Sequence, residues 1–296
     1  MGLTGMKRAN MRHVKIVTDS TSDVPIEFRQ KLGIEQVPLK IHFGDEVFIE
    51  NVNICAEEFY RRVRQTNQIP STSAPDLVEF IECYARWADR YNIISIHLSS
   101  EFSETYRMAL EAGDHVMKQF PECTIQVIDS KSASMGFGLI AVQAAEFAKE
   151  GRSISDITDF IYQANLKTYA FFTVGTMTYL RMGGRIGNLR SILPSMIGKK
   201  GILTLKEGTV SLLERVDMRI GMDMVDKLFG SIIKTVPSKS EIFSVVLDAS
   251  APDKAEQLME RILSRYQCRR YFRSTIGPVV GVHTGIGTFA AVIQSL

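Results

Sequence analysis

The stretch Ile94-Ser-Ile-His-Leu-Ser-Ser-Glu-Phe-Ser-Glu-Thr-Tyr106 decides how the first half of this chain folds: a short apolar run with strand character ends in hydroxyl residues that open an amphipathic helical pattern. A strand feeding a helix through a short polar turn is the repeating unit of an open α/β sheet. The same turn suits an acidic head group. Free N–H groups at a helix start carry partial positive charge, and Ser99, Ser100 and Ser103 add hydroxyl donors that a carboxylate or phosphate accepts. One such junction does not define a site, because a serine before a helix serves equally well as an N-cap.

The pattern recurs. Val14-Lys-Ile-Val-Thr-Asp19 runs into Ser20, Thr21 and Ser22, and Thr124-Ile-Gln-Val-Ile-Asp129 runs into Ser130, Lys131 and Ser132. In a parallel sheet these strand ends lie along one edge, and ligands bind in the crevice outside it. A fourth cluster, Ser71-Thr-Ser-Ala-Pro75, precedes another helix. Strands are expected near 14–18, 34–41, 93–97 and 124–128, with helices near 25–32, 56–66, 76–90, 104–119 and 134–149. Gly33 and Gly151 read as helix stops, and Pro25 and Pro75 sit where a first helical turn tolerates proline. Phe43-Gly-Asp-Glu-Val47 reads as the turn of a small hairpin inserted near 38–50. The expectation is an α/β protein of two domains, the first (1–166) a mainly parallel α/β/α sandwich.

Beyond Gly151 the order changes. Ser153-Ile-Ser-Asp156 resembles a capping box opening a helix that ends near Leu166. Ala170-Phe-Phe-Thr-Val174 reads as a buried strand, and residues 201–213 as a hairpin turning at Glu207-Gly208. Helices near 220–235 and 252–265 and strands near 242–247, 269–274, 279–283 and 288–293 complete a second domain (167–296), a mixed sheet covered on one side by helices.

Composition narrows the function. The 296 residues are 45% hydrophobic and 23% charged, ordinary for a folded soluble chain. A formal charge of +2 gives no general electrostatic case for nucleic acid, although Arg181, Arg185, Arg190, Lys199 and Lys200 form a local basic stretch. The first 12 residues carry basic groups with no apolar run after them, and no stretch approaches a membrane span, so a cytoplasmic protein is expected. Cys55, Cys83, Cys123 and Cys268 lack Cys-x-x-Cys spacing, and His13, His42, His97, His115 and His283 lack metal-ligand spacing, so no metal or cofactor is expected. The Gly183-Gly-Arg-Ile-Gly187 and Gly277 to Gly287 segments match neither a P-loop nor a dinucleotide fingerprint.

Six motifs in order carry a resemblance: Ile16-Val-Thr-Asp-Ser-Thr-Ser-Asp-Val-Pro25, Ser71-Thr-Ser-Ala-Pro75, Leu98-Ser-Ser-Glu-Phe-Ser-Glu-Thr-Tyr106, Val127-Ile-Asp-Ser130, Tyr179-Leu-Arg-Met-Gly-Gly-Arg-Ile186 and Gly281-Val-His-Thr-Gly-Ile-Gly-Thr288. Together they resemble the ordered landmarks of the DegV family over nearly the whole chain. The resemblance implies a bacterial, non-catalytic carrier that holds one long-chain fatty acid between two domains. It would present the carboxylate to a separate fatty acid kinase, which makes an acyl phosphate for phospholipid synthesis. It further implies carboxylate binding by Thr72, Ser100 and His283, with Ser99 and Ser103 around them, and contacts to the partner or the acyl phosphate by Arg219 and Arg185. Where the family usually has glycine this chain has Glu101 and Glu104, and where it commonly has proline it has Ile286; two carboxylates beside an anion site oppose binding unless they face solvent.

Lipid binding has its own physical case, since burying about 14 methylenes gains on the order of 10 kcal/mol before ordering costs. Met177, Met182, Met196, Met218, Met222 and Met224 offer adaptable lining. Two other readings stand beside the carrier. One is an acyl-transfer or esterase-type enzyme using Ser100 with His283, although no Gly-x-Ser-x-Gly elbow is present. The other is a lipid-responsive interaction protein without a kinase.

Overall fold

In the computed structural model, which describes residues 12–66, 68–191, 199–217, 223–238 and 240–296, the three hydroxyl-ended runs become parallel strands. The first half runs β1 (His13–Asp19), α1 (Ile26–Leu32), β2 (Glu35–Val37), β3 (Lys40–Phe43), β4 (Glu46–Ile49), α2 (Ala56–Thr66), β5 (Ser71–Ser73), α3 (Leu77–Ala88), β6 (Tyr91–His97), α4 (Thr105–Gln119), β7 (Ile125–Asp129) and α5 (Met135–Lys149). The main sheet has the order β2-β1-β6-β7, every pair parallel. Both of its faces are covered, which is why β1 and β6 are nearly continuous runs of Ile and Val. Phe80 and Tyr84 of α3 and Ala109, Ala112 and Val116 of α4 pack on Val17 and Ile93. On the other face Phe137, Ile140 and Ala144 of α5 meet Ile16, Ile94 and Ile96.

One expected strand is two. Pro38 lacks the N–H that a ladder requires, so the run near 34–41 breaks there. β2 stays beside β1, whereas β3 joins β4 and β5 in a separate three-stranded antiparallel sheet of order β4-β3-β5. The inserted hairpin is therefore widened by β5, a strand for which the hydroxyl-rich Ser71-Thr-Ser73 carries no apolar signal.

The second half continues with α6 (Ile154–Leu166), β8 (Thr168–Thr173), α7 (Thr178–Met182), β9 (Lys199–Lys206), β10 (Thr209–Asp217), α8 (Met224–Thr235), β11 (Glu241–Asp248), α9 (Pro252–Arg265), β12 (Gln267–Thr275), α10 (Pro278–Thr284) and β13 (Phe289–Ser295). The Ser153 hydroxyl caps α6, accepting the Asp156 N–H at 3.1 Å. Its sheet, β10-β9-β8-β13-β11-β12, is antiparallel except where β12 lies parallel to β11. Glu207 and Gly208 turn the β9–β10 hairpin with φ of 51° and 80°, the positive values that a tight two-residue hairpin turn demands. Helices α8 and α9 cover one face, with Val225, Leu228, Leu258 and Ile262 against Phe171, Val246 and Ile293. The other face turns toward the first half, and its Val245, Leu247 and Val292 share one continuous core with α5.

The strand expected near 279–283 is instead helix α10. A short, fully apolar run carries no periodicity that separates a buried strand from a buried helix. Pro278 occupies the first helical position after the extended Gly277, a placement that a helix start tolerates.

Candidate ligand-binding cavity

An apolar cavity of about 980 Å³, counted out to its open mouth, lies where the strand-end loops of the first sheet face the inner surface of the second. Leu39, Leu98, Phe102, Phe172, Val210 and Leu247 are among the residues that line it. The polar atoms on its wall come from Thr21, Thr72, Ser73, Ser103, Ser134, Arg185, His283, Thr284 and Thr288.

Thr72 reaches the wall because β5 pairs with β3, Thr72 opposite Ile41. Its Oγ1 lies 2.9 Å from Nε2 of His283, on the last turn of α10. The ring is wedged against Gly183, where an added Cβ would stand 2.3 Å from Nδ1. That Nδ1 is buried with no hydrogen-bond partner among the described residues. Burial, and after it the neighbouring Arg185, push the His283 pKa down to about 4, so the ring is neutral near pH 7. The positive charge in this wall belongs to Arg185. Its Nε donates to the Phe102 carbonyl at 3.0 Å and its Nη1 to the Gly183 carbonyl at 2.7 Å, which fixes the guanidinium beside the cavity. Among the described residues Arg185 has no carboxylate partner, so its charge is available to an acidic ligand.

The serines after β6 separate. The Ser99 N–H donates to the Ser132 carbonyl at 2.8 Å, pulling the loop toward β7. Ser99 is fully buried and its Oγ accepts the Glu101 N–H at 3.2 Å, so it braces the turn without lining the cavity. Ser100 is turned outward: its Oγ donates to Asp129 at 2.5 Å and accepts from Lys131 at 3.0 Å. Ser100, expected beside the head group, does not line the cavity in this structure. Ser103 does line the cavity, its Oγ 2.8 Å from Thr105 Oγ1. Glu101 extends toward Lys131 and Glu104 pairs with Arg107, both on the solvent side, so neither opposes an anion in the cavity. Ile286 packs against the core beside the cavity.

Arg219, with Met196, Met218 and Met222, lies outside the described residues. The expected methionine lining does not appear among the rest: Met177 packs beside Phe172 and Leu180, Met182 is exposed and Met224 belongs to the core under α8. Branched aliphatic residues and two phenylalanines take that role. Thr21 and Ser134 were within reach of the sequence, since both sit in the hydroxyl clusters after β1 and β7. Thr288 and Thr284 had no local signal, because only the docking of α10 turns them inward.

A second constellation has the order of a catalytic triad but not its access. Tyr84 donates to Ser95 Oγ at 2.8 Å, Ser95 lies 2.7 Å from His97 Nε2, and His97 Nδ1 lies 3.0 Å from Asp19 Oδ2. Ser95, His97 and Asp19 are fully buried, and the Tyr84 hydroxyl closes off the serine. With the ring hydrogen on Nδ1 every group in the chain is satisfied, and Asp19 also accepts the Thr21 and Leu98 N–H groups. This network ties the ends of β1 and β6 together and offers no nucleophile to a ligand. Among the described residues no cluster of three or more His, Cys, Asp or Glu is placed to hold a metal ion, and no helix is long and apolar enough to cross a membrane.

Comparison with known proteins agrees with this architecture. The model of the DegV family, a family described as uncharacterised protein, matches residues 13–296. A DegV domain-containing protein of Halalkalibacterium halodurans is 32% identical over 283 residues, spanning 94% of this chain and 97% of the relative. A solved DegV family structure from Thermus thermophilus, described by its fatty acid binding, matches with a TM-score of 0.86 at 28% identity, covering 96% of this chain and all of that one. DegV of Bacillus subtilis, described as a fatty acid binding protein, also gives 0.86, at 25% identity and with 96% of this chain covered.

Proposed function

Because this chain belongs to the DegV family, we propose that it binds one long-chain fatty acid in the cavity between its two sheets and presents the carboxylate to a separate kinase for acyl phosphate formation. The observation that carries the reading is an apolar cavity whose polar wall holds a guanidinium with no carboxylate partner among the described residues, beside the Thr72–His283 pair. Apolar length supplies affinity and this wall supplies orientation. A charge-assisted hydrogen bond from Arg185 adds roughly 1.5–3 kcal/mol. Thr72, Ser103, His283 and Arg185 are assigned to the head group. Arg219 is assigned to the encounter with the kinase or to the acyl phosphate. Two domains, 1–166 and 167–296, enclose the lipid, and the protein works in the cytoplasm without a cofactor.

The acyl-transfer alternative needs Ser100 beside His283, whereas Ser100 is bonded to Asp129 and His283 to Thr72. Purified protein should yield one fatty acid per chain on extraction, or take up added palmitate or oleate to that stoichiometry. Neither outcome being obtained would refute lipid binding.

A further inference from the structure

We propose that Asp23 and Glu50 form a buried carboxyl pair that positions α10 against the cavity and makes fatty-acid retention pH-dependent, tight while the pair holds a proton and weaker once it is lost. This rests on the reading of the cavity as a fatty-acid site.

The two carboxyls converge on the start of α10. Asp23 Oδ1 accepts the Gly277 N–H at 3.0 Å and Glu50 Oε1 accepts the Val279 N–H at 2.7 Å. Pro278 between them has no N–H, so these two carboxyls take the donors on either side of it. A Cβ on Gly277 would stand 2.4 Å from Asp23 Oδ1 and 2.9 Å from Glu50 Oε1, so only glycine lets the two acids meet there. Asp23 Oδ2 also accepts the hydroxyl of Ser134, and the segment leading into the helix is held by Tyr60, which donates to the Ile276 carbonyl at 2.8 Å. Val279, Val280, His283 and Thr284 of α10, together with Ser134 and Ile276, all line the cavity. None of the carboxyl oxygens does. The pair therefore acts on the ligand through the helix it holds.

Its electrostatics favour a retained proton. Glu50 is fully buried and Asp23 nearly so, and Glu50 Oε2 has no hydrogen-bond partner among the described residues. Burial, and next the neighbouring Glu50, push the Asp23 carboxyl well above the usual range, against the Ser134 and Gly277 donors. Burial pushes Glu50 up to about 7, against the nearby Ser20 hydroxyl and the Val279 N–H. Of the charged groups facing the pair, Asp19 on β1 raises both carboxyls, and Arg29 on α1 stabilises the Glu50 anion. Burial, and after it Asp23, Asp248 on β11 and Glu50, push the Tyr60 hydroxyl of α2 well above its usual value, so it stays protonated. His283, at the far end of α10, is neutral over the same range. A second ionisation leaves two anions around one glycine, and separating them moves α10.

The sign follows from linkage. A carboxyl whose folded value is raised contributes stability fully present below its unfolded value of about 4.3 and lost as pH rises through about 7. A ligand that keeps α10 docked binds best to the protonated pair. The test compares palmitate dissociation constants at pH 6.0 and 8.5 for the full chain and for Glu50→Gln. The titration of the fatty acid itself is common to both proteins and cancels in the ratio. Affinity of the native protein should fall at least about 10-fold more over this interval than that of the variant. Equal pH responses overturn the proposal. Carboxyl carbon NMR of the palmitate-loaded native protein gives a reading that needs no variant: one glutamate carboxyl should titrate near or above pH 7, and a spectrum in which every glutamate titrates below pH 5.5 overturns the proposal. Failure to take up palmitate at pH 6.0 would refute the cavity reading instead, so the two failures are distinct.

Discussion

At the residue scale, Thr72 and His283 lie 211 positions apart in the chain yet share a hydrogen bond in the cavity wall. Thr72→Ala removes that bond and one donor near the head group, and a lipid titration should show palmitate affinity falling by about 10- to 100-fold, the effect of a hydrogen bond to a charged acceptor. Ser100→Ala is the matched control: its hydroxyl is spent on Asp129 at the surface, and palmitate affinity should stay within about twofold of the native protein. His283 makes a separate prediction about acid stability. With the folded pKa depressed to about 4, its contribution is present above the unfolded value of 6.5 and is lost as pH falls through 4. Urea midpoints measured between pH 7 and pH 4 should fall less steeply in His283→Asn than in the native protein.

At the element scale, the site depends on how closely α7 and α10 approach. Gly183 ends α7 with φ of −70°, a backbone conformation that alanine adopts freely, so replacing it tests contact alone. The added methyl would fall 2.3 Å from His283 Nδ1 and must move the ring. Gly183→Ala should therefore weaken palmitate binding as much as Thr72→Ala, while costing about 1–3 kcal/mol in stability from overpacking. Native binding in this variant, measured by the same titration, would show that His283 does not need its present position. Gly285 works differently, because it combines φ of 78° with close packing on the Tyr179 ring, so substitution there perturbs the backbone as well.

At the scale of the whole molecule, one core joins α5 to the inner face of the second sheet. The two sheets should accordingly unfold together. Trp87, on α3 in the first half, gives a local fluorescence probe whose thermal transition should coincide with that of far-ultraviolet circular dichroism. Palmitate at 100 times its dissociation constant should raise the unfolding free energy by about 2.7 kcal/mol, seen as a higher melting temperature. The carrier assignment is tested at the same scale. Lipid-loaded protein with ATP and magnesium should form no acyl phosphate until a kinase is added, and phosphoryl transfer by this chain alone would overturn the assignment.

The sequence by itself determined the alternation of strand and helix in the first half, the parallel main sheet with its hydroxyl-bearing edge, the hairpin at Glu207 and Gly208, and the mixed second sheet. Those features rest on local signals: apolar periodicity, capping residues and glycines that accept positive φ. Tertiary structure alone decided which hydroxyls face the cavity. Ser99, Ser100 and Ser103 look equivalent in sequence, yet a backbone hydrogen bond to Ser132, past the end of β7, holds the turn so that the first is buried, the second faces Asp129 and the third stays on the wall. It also decided that the run after Pro278 is a helix, since an apolar stretch this short takes its conformation from the groups that satisfy its ends. Here those groups are the side chains of Asp23 and Glu50, more than 220 residues earlier. Side-chain direction and the pairing of distant polar groups depend on contacts that no local pattern encodes.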